Sequence, residues 1–173
     1  MNIYIMRHGE AVDQFCRTES EDAKRPLTEN GQLEAFKIGR WLAKTLPMLD
    51  EIYVSPYLRT QQTCKQVLKA IEKSDAFIHK VFEPITLDFI TPQGTAKEVR
   101  EFIDEILLNN KNKDESELTL LIISHMPLVS HLISELTASS ERFFFSTGTI
   151  AHTNYDREAL QGEFIRIVSP SEL

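Results

Sequence analysis

At 173 residues the chain can bury one substantial core but is short for two, and its 42% hydrophobic and 26% charged residues are ordinary for a globular protein. A net charge of −7, from 19 Lys+Arg against 26 Asp+Glu, argues against a nucleic-acid partner, which needs a basic stripe, but leaves room for a local cationic pocket. No stretch is long enough to span a bilayer, Arg7 and His8 break the first apolar run at once, and Cys16 and Cys64 form no close-spaced zinc or redox motif, so a cytoplasmic monomer with reduced thiols and no membrane partner is expected.

Residues 2–6 read as a short buried strand, and residues 10–25, rich in polar and charged groups, as a loop. Thr28 is a fitting N-cap for a helix whose apolar positions include Leu33, Phe36, Leu42, Ala43 and Leu46, closed by Pro47. Residues 51–54 give a second strand. Pro56 suits the first turn of the next helix, with Leu58, Val67, Leu68 and Ile71 on its apolar face. Residues 77–82 read as a third strand and 86–92 as an irregular connection. Thr95 caps a helix containing Val99, Phe102, Ile103 and Ile106, and a charged loop over 109–117 follows. Residues 118–123 form the clearest buried strand, which ends directly at Ser124-His125. A helix carrying Leu128, Val129, Leu132, Ile133 and Leu136 comes next. Two strands, about 148–154 and 163–168, joined by a turn over 156–162, close the chain. No repeat or linker divides it. The alternation predicts a single three-layer α/β domain over residues 1–173, with a largely parallel central sheet flanked by helices and an antiparallel edge from the closing hairpin.

Three of the expected strands end in polar signatures: Arg7-His8, Ser55 with Arg59 just beyond it, and Ser124-His125. A parallel sheet brings all three to one edge, where open α/β sheets keep their chemistry. Each residue has a bland reading when taken alone. His125 could be a core histidine, Arg59 a solvated helix residue, and Arg25 a partner of Glu19, Glu21 or Asp22. As a set, two imidazoles and up to three guanidiniums suit an anion, and a cation at a helix start makes sense where an anion shares the helix N-terminus.

The segments Met6-Arg7-His8-Gly9-Glu10, Arg25-Pro26-Leu27-Thr28, Ser55-Pro56-Tyr57-Leu58-Arg59-Thr60 and Ile123-Ser124-His125-Met126-Pro127 together resemble the histidine phosphatase superfamily, the phosphoglycerate-mutase-like clan. Within it the chain looks most like the small SixA-type phosphohistidine phosphatases. That resemblance implies His8 as a nucleophile forming a phosphohistidine enzyme intermediate. It implies Arg7, Arg59 and His125 as groups cradling the phosphoryl oxygens, and Arg25 as a further phosphate ligand with Asp22 orienting it. It also implies a phosphohistidine-containing protein as substrate, such as a phosphotransfer or phosphocarrier protein.

Many members of the superfamily carry a carboxylate after the third strand that protonates a leaving alcohol. Here Phe89 stands where SixA-like sequences carry glutamate, and Asp88 lies one residue early, where extended backbone turns it away. Asp88, Glu10 and Glu83 stay open as proton donors, as does the absence of any. A missing acid fits a phosphohistidine substrate, because imidazole is a far better leaving group than an alkoxide. The chain is also too short for large cap insertions that would enclose a small metabolite. Two alternatives remain: a monoesterase of the same superfamily acting on small phosphate esters, and a non-catalytic phosphohistidine-binding protein. No metal or cofactor is expected, since HExxH, cysteine clusters and a P-loop are all missing from the sequence and His125 and His131 lack zincin spacing.

Overall fold

The computed structural model describes residues 1–109, 118–156 and 158–173. Its centre is a sheet of β1 (Asn2–Arg7), β2 (Glu51–Val54), β3 (Ile85–Thr86), β4 (Thr119–Ser124), β5 (Ile150–Asp156) and β6 (Gln161–Val168). The strand order is β3-β2-β4-β1-β5-β6. The first four of these run parallel, and β5 and β6 add an antiparallel edge. This is the α/β architecture expected from the alternation of strand and helix patterns. The helices are α1 (Glu19–Ala23), α2 (Glu29–Thr45), α3 (Leu58–Ile71), α4 (Ala96–Asn109) and α5 (Leu128–Leu136).

The central strands read as unbroken apolar runs because both of their faces are covered. Successive side chains alternate between the two sides. Ile3, Ile5, Leu120 and Ile122 pack with residues of α4 and α5, whereas Tyr4, Met6, Leu121 and Ile123 pack with residues of α2 and α3. Arg7 pairs with Ser124 in the parallel register of β1 and β4, and Val54 pairs with Ile123 in that of β2 and β4. Ser55, His8 and His125 therefore leave the sheet at its carboxyl edge within one residue of each other.

Several expectations change. Residues 77–82 are not a strand: residues 75–77 form a short 3-10 turn, and Val81 is 84% exposed. Their apolar positions, Phe77, Ile78, Val81 and Phe82, are spaced by a helix-like four residues rather than alternating. The third strand is only Ile85–Thr86, pairing with Tyr53 and Val54 at the start of the segment expected to be irregular. Segment 10–25 holds the short helix α1, capped by Thr18, whose Oγ accepts from Glu21 N–H. Leu33 is 54% exposed, and the buried face of α2 is Gly31, Ala35, Ile38, Gly39 and Leu42. The glycines sit inside because α2 approaches its neighbours closely: a Cβ on Gly39 would meet the Val67 carbonyl of α3 at 2.6 Å. Pro56 lies just before α3, which Tyr57 caps. The closing strands run 150–156 and 161–168. The charged loop lies outside the described residues from 110 to 117.

Candidate active site

His8 is the first residue beyond β1. Its backbone still joins the sheet, His8 N–H donating to Ser124 O at 3.0 Å and Gly148 N–H donating to His8 O at 2.9 Å. Gly9 N–H donates to Thr63 Oγ1 at 3.1 Å, and that hydroxyl donates to Arg59 O, tying this loop to α3. A Cβ on Gly9 would meet Gly31 O at 2.3 Å, so only glycine lets the loop lie against the start of α2. The His8 ring sits 2.7 Å from Gly9 O through Nδ1. A carbonyl can only accept, so Nδ1 carries the proton and Nε2 keeps its lone pair. Arg59 Nε–H points at that lone pair from 3.2 Å. Burial drives the His8 pKa down to about 3; the bond to Gly9 opposes this, and Arg59, Arg7 and Arg25 reinforce it. His8 is thus a neutral imidazole with one unprotonated nitrogen facing guanidinium.

The guanidiniums come from three segments. Arg59, the second residue of α3, is only 4% exposed. Its Nη1 donates to Asp22 O at 2.7 Å and its Nη2 to Asp22 Oδ2 at 3.0 Å. The other carboxylate oxygen of Asp22 takes Arg25 Nη1 at 3.0 Å, and Arg25 Nε donates to Val12 O at 3.0 Å. Burial pushes the Asp22 pKa up, but the hydrogen bonds from Arg25 and Arg59 outweigh it and the carboxyl stays below its ordinary value. Arg7 Nη1 donates to Phe145 O at 2.7 Å, and Arg7 Nε is buried with no partner among the described residues.

His125, just past β4, completes the cluster, its ring centroid 5.2 Å from that of His8. Its Nε2 is 2.7 Å from Ser55 Oγ, while its Nδ1 is buried without a described partner. Burial, then the neighbouring His8, Arg59 and Arg7, lowers its pKa to about 2. Tyr57 stands edge-on to His125 at 4.9 Å and lies under the Arg59 guanidinium at 4.8 Å. Its hydroxyl donates to Glu19 Oε1 at 2.8 Å, which links α1 to the same wall.

The structure therefore gathers Arg7, His8, Arg25, Arg59, His125 and Asp22 into one cluster. It does not bring the weighed carboxylates with them. Asp88 and Glu83 are exposed, while Leu87 and Phe89 pack against the core. The two oxygens of Glu10 are held by Thr28 Oγ1 at 2.7 Å and Asn30 Nδ2 at 3.0 Å at the start of α2. Among the described residues no group of three or more His, Cys, Asp or Glu could hold a metal ion. Ser55, Tyr57, Glu19 and Thr63 are site residues that sequence reasoning gave no role. For Ser55 a signal existed, because it follows β2 directly, level with Ser124. Glu19 and Thr63 gave none, being one acid among many and one threonine inside a helix.

A buried, neutral imidazole nitrogen facing a guanidinium, with two further buried nitrogens, Arg7 Nε and His125 Nδ1, left unpaired among the described residues, suits a tetrahedral oxyanion and nucleophilic attack on it. Residues 3–83 match the histidine phosphatase superfamily (branch 1), and the chain belongs to that superfamily, given its near full-length similarity to curated members. It is 37% identical over 161 residues to the phosphohistidine phosphatase SixA homolog of Haemophilus influenzae, covering 90% of this chain and 89% of that protein. It is 31% identical to the phosphohistidine phosphatase SixA of Escherichia coli, covering 100% of this chain and 96% of that one. The fold matches a structure of the protein histidine phosphatase SixA complexed with tungstate, with a TM-score of 0.82, 29% identity and 99% of both chains covered.

Proposed function

We propose that this protein is a phosphohistidine protein phosphatase that hydrolyses the P–N bond of a phosphohistidine through an intermediate on His8. The observation that carries the reading is the His8 ring itself, with Nδ1–H fixed on Gly9 O and the Nε2 lone pair turned to Arg59. Nε2 attacks phosphorus in line. A new P–N bond forms to His8 as the bond to the substrate imidazole breaks, and that ring leaves with its electron pair. Arg59 Nε–H moves from the lone pair to a phosphoryl oxygen as attack begins. Arg7, Arg25 and His125 hold the others, stabilising charge that spreads over the transferring group. Water then cleaves the His8 intermediate and releases phosphate.

The leaving group favours phosphohistidine over an ester. A phosphorylated imidazole protonated at its other nitrogen departs neutral, its conjugate acid having a pKa near ~6.5, while an alkoxide resembling hydroxide corresponds to ~15.7. An ester therefore needs an acid, and the carboxylates weighed for that task are exposed or already bonded. A protein substrate is supported by two exposed aromatic residues. Phe15 and Phe144 are 85% and 84% exposed, on segments whose carbonyls at Val12 and Phe145 bond Arg25 and Arg7. Exposed aromatic side chains on segments that hold the site arginines suit a docked protein face. The relatives' names, SixA among them, agree with this substrate class. No metal enters the scheme, so activity is expected to survive chelators. No described helix is long and apolar enough to cross a membrane.

Rapid quench with a phosphohistidine protein labelled at phosphorus tests the scheme. Transient label on His8 is expected; label on another residue, or efficient turnover of small phosphate esters with none of phosphohistidine, would reject it.

A further inference from the structure

We propose that Ser55 is a positioning residue that locks His125 in the tautomer with its proton on Nδ1, so that His125 meets the phosphoryl group as a hydrogen-bond donor. The inference rests on His125 being a phosphate ligand, as in the proposed function, but the tautomer follows from hydrogen-bond accounting within the protein.

Ser55 Oγ has two neighbours, Tyr57 N–H at 3.5 Å and His125 Nε2 at 2.7 Å. A backbone N–H can only donate, so toward Tyr57 the hydroxyl oxygen accepts. Its own hydrogen is then available to His125 Nε2, the remaining neighbour within hydrogen-bond reach, which accepts it with a lone pair. In a neutral imidazole that places the ring proton on Nδ1. The opposite arrangement has Nε2–H donating to Oγ. It leaves the Ser55 hydroxyl hydrogen, on a residue with 0% exposure, without an acceptor among the described residues. It would also leave a bare lone pair at Nδ1 in a pocket built for anions, repelling the oxygens the pocket must hold.

Ser55 is well fixed for this task. Its N–H donates to Ile123 O at 3.1 Å, continuing the β2–β4 pairing. Its carbonyl accepts from Thr60 Oγ1 at 3.0 Å and Gln61 Nε2 at 2.8 Å, which brace it against the first turn of α3. Outer partners of this kind set the orientation and protonation of functional imidazoles. Burial and the surrounding cations keep His125 neutral, so it can donate only from the nitrogen its partner leaves protonated. His8 reaches the same Nδ1–H state through Gly9 O. The two rings are thus set to complementary tasks: His8 exposes a lone pair at Nε2, and His125 a proton at Nδ1.

Long-range proton–nitrogen NMR of histidine-labelled resting protein reads the tautomer directly. His125 is expected to show a protonated Nδ1 and an unprotonated Nε2, and the reverse pattern would overturn the proposal. Ser55→Ala is expected to lose the single tautomer and to lower kcat against a phosphohistidine protein by about 10- to 100-fold, less than the roughly 10²- to 10³-fold cost of removing an oxyanion donor outright. Ser55→Thr, which restores the hydroxyl, is expected to recover both the His125 signature and activity to within about threefold of the parent. Ser55→Ala with unchanged nitrogen shifts and unchanged kcat would reject the role. The two ideas fail separately. An Nε2–H His125 in an active phosphohistidine phosphatase defeats the Ser55 proposal alone, and an inactive protein with Nδ1–H at His125 defeats the functional reading alone.

Discussion

His125 and His152 are alike by most measures used to find a functional histidine, yet they sit in different kinds of place. Burial holds both neutral, with pKa values lowered to about 2 and about 4, and each has an Nδ1 without a partner among the described residues. His152, on β5, lies flat on Tyr4 at 4.3 Å and places Nε2 at 2.9 Å from Asn2 Oδ1. That oxygen accepts, so the His152 proton is on Nε2, the opposite of the arrangement inferred for His125. The cation that depresses His152 is Arg166, whose guanidinium covers the Trp41 ring at 4.8 Å. Around His125 the cations are Arg59 and Arg7, from two different elements, with His8 opposite. A lowered pKa is therefore a mark of burial. What sets the His125 pocket apart is the convergence of cations from separate elements, Arg7 at the end of β1 and Arg59 in α3.

The sharpest way to break this contrast is to remove each ring in turn. His8→Ala is expected to abolish turnover of phosphohistidine protein, and His125→Ala to reduce kcat by about 10²- to 10³-fold as an oxyanion donor is lost. His152→Ala should leave kcat and KM within about twofold, while lowering Tm through lost packing on Tyr4. Equal damage from His125→Ala and His152→Ala would mean the distinction is false. Next in size, Arg59→Lys removes the fork that serves His8 and Asp22 together, and about a 10²-fold loss in kcat/KM is expected. Asp22→Asn keeps the shape of the bridge but halves its hold on two guanidiniums. It should cost about tenfold, or about 1.4 kcal/mol of transition-state stabilisation. Phe15→Ala with Phe144→Ala should raise KM for a phosphohistidine protein about fivefold while leaving hydrolysis of a small phosphoramidate unchanged, because contacts of these rings add binding without touching phosphorus.

A test of a different kind is stability against pH. His8 and His125 have folded pKa values of about 3 and about 2, against an ordinary 6.5. Between these limits the unfolded chain binds more protons than the folded one, so stability rises with pH there. Tm should be level above about 6.5 and fall steadily as the pH drops toward about 3. Inorganic phosphate, whose negative charge favours the protonated rings, should make that fall shallower. A Tm that rises on acidification would overturn the assignment of neutral imidazoles.

Most of the sheet was legible because β1 and β4 are covered on both faces and so read as continuous apolar runs. The gathering of Arg7, Arg59 and His125 followed from parallel strands ending at one edge. What escaped was structure that leaves no periodic trace. β3 has two residues, too few to show any alternation, while the nearby 77–82 segment carries four apolar residues without belonging to the sheet. α1 buries no residue and is held instead by Thr18 and by the Asp22 bonds to Arg25 and Arg59, all of them polar contacts invisible to hydrophobic pattern. The role of Asp22 came from likeness to known sequences, because nothing in the local sequence separates it from Glu19 and Glu21. The fate of Glu10 needed coordinates as well, since its capture by Thr28 and Asn30 depends on how closely Gly9 lies against Gly31.

The pairing of Arg7 with Ser124 has a further implication for how the chain matures. Two rings that must face each other across adjacent strands are aligned by a match good to a single step, and one step along a strand is about 3.3 Å. A slip of that size would also reverse which side chains face each layer. Misaligned chains would be nearly as compact as correct ones but catalytically silent. Recovered turnover after dilution from denaturant is therefore a gauge of strand alignment, finer than any measure of overall collapse.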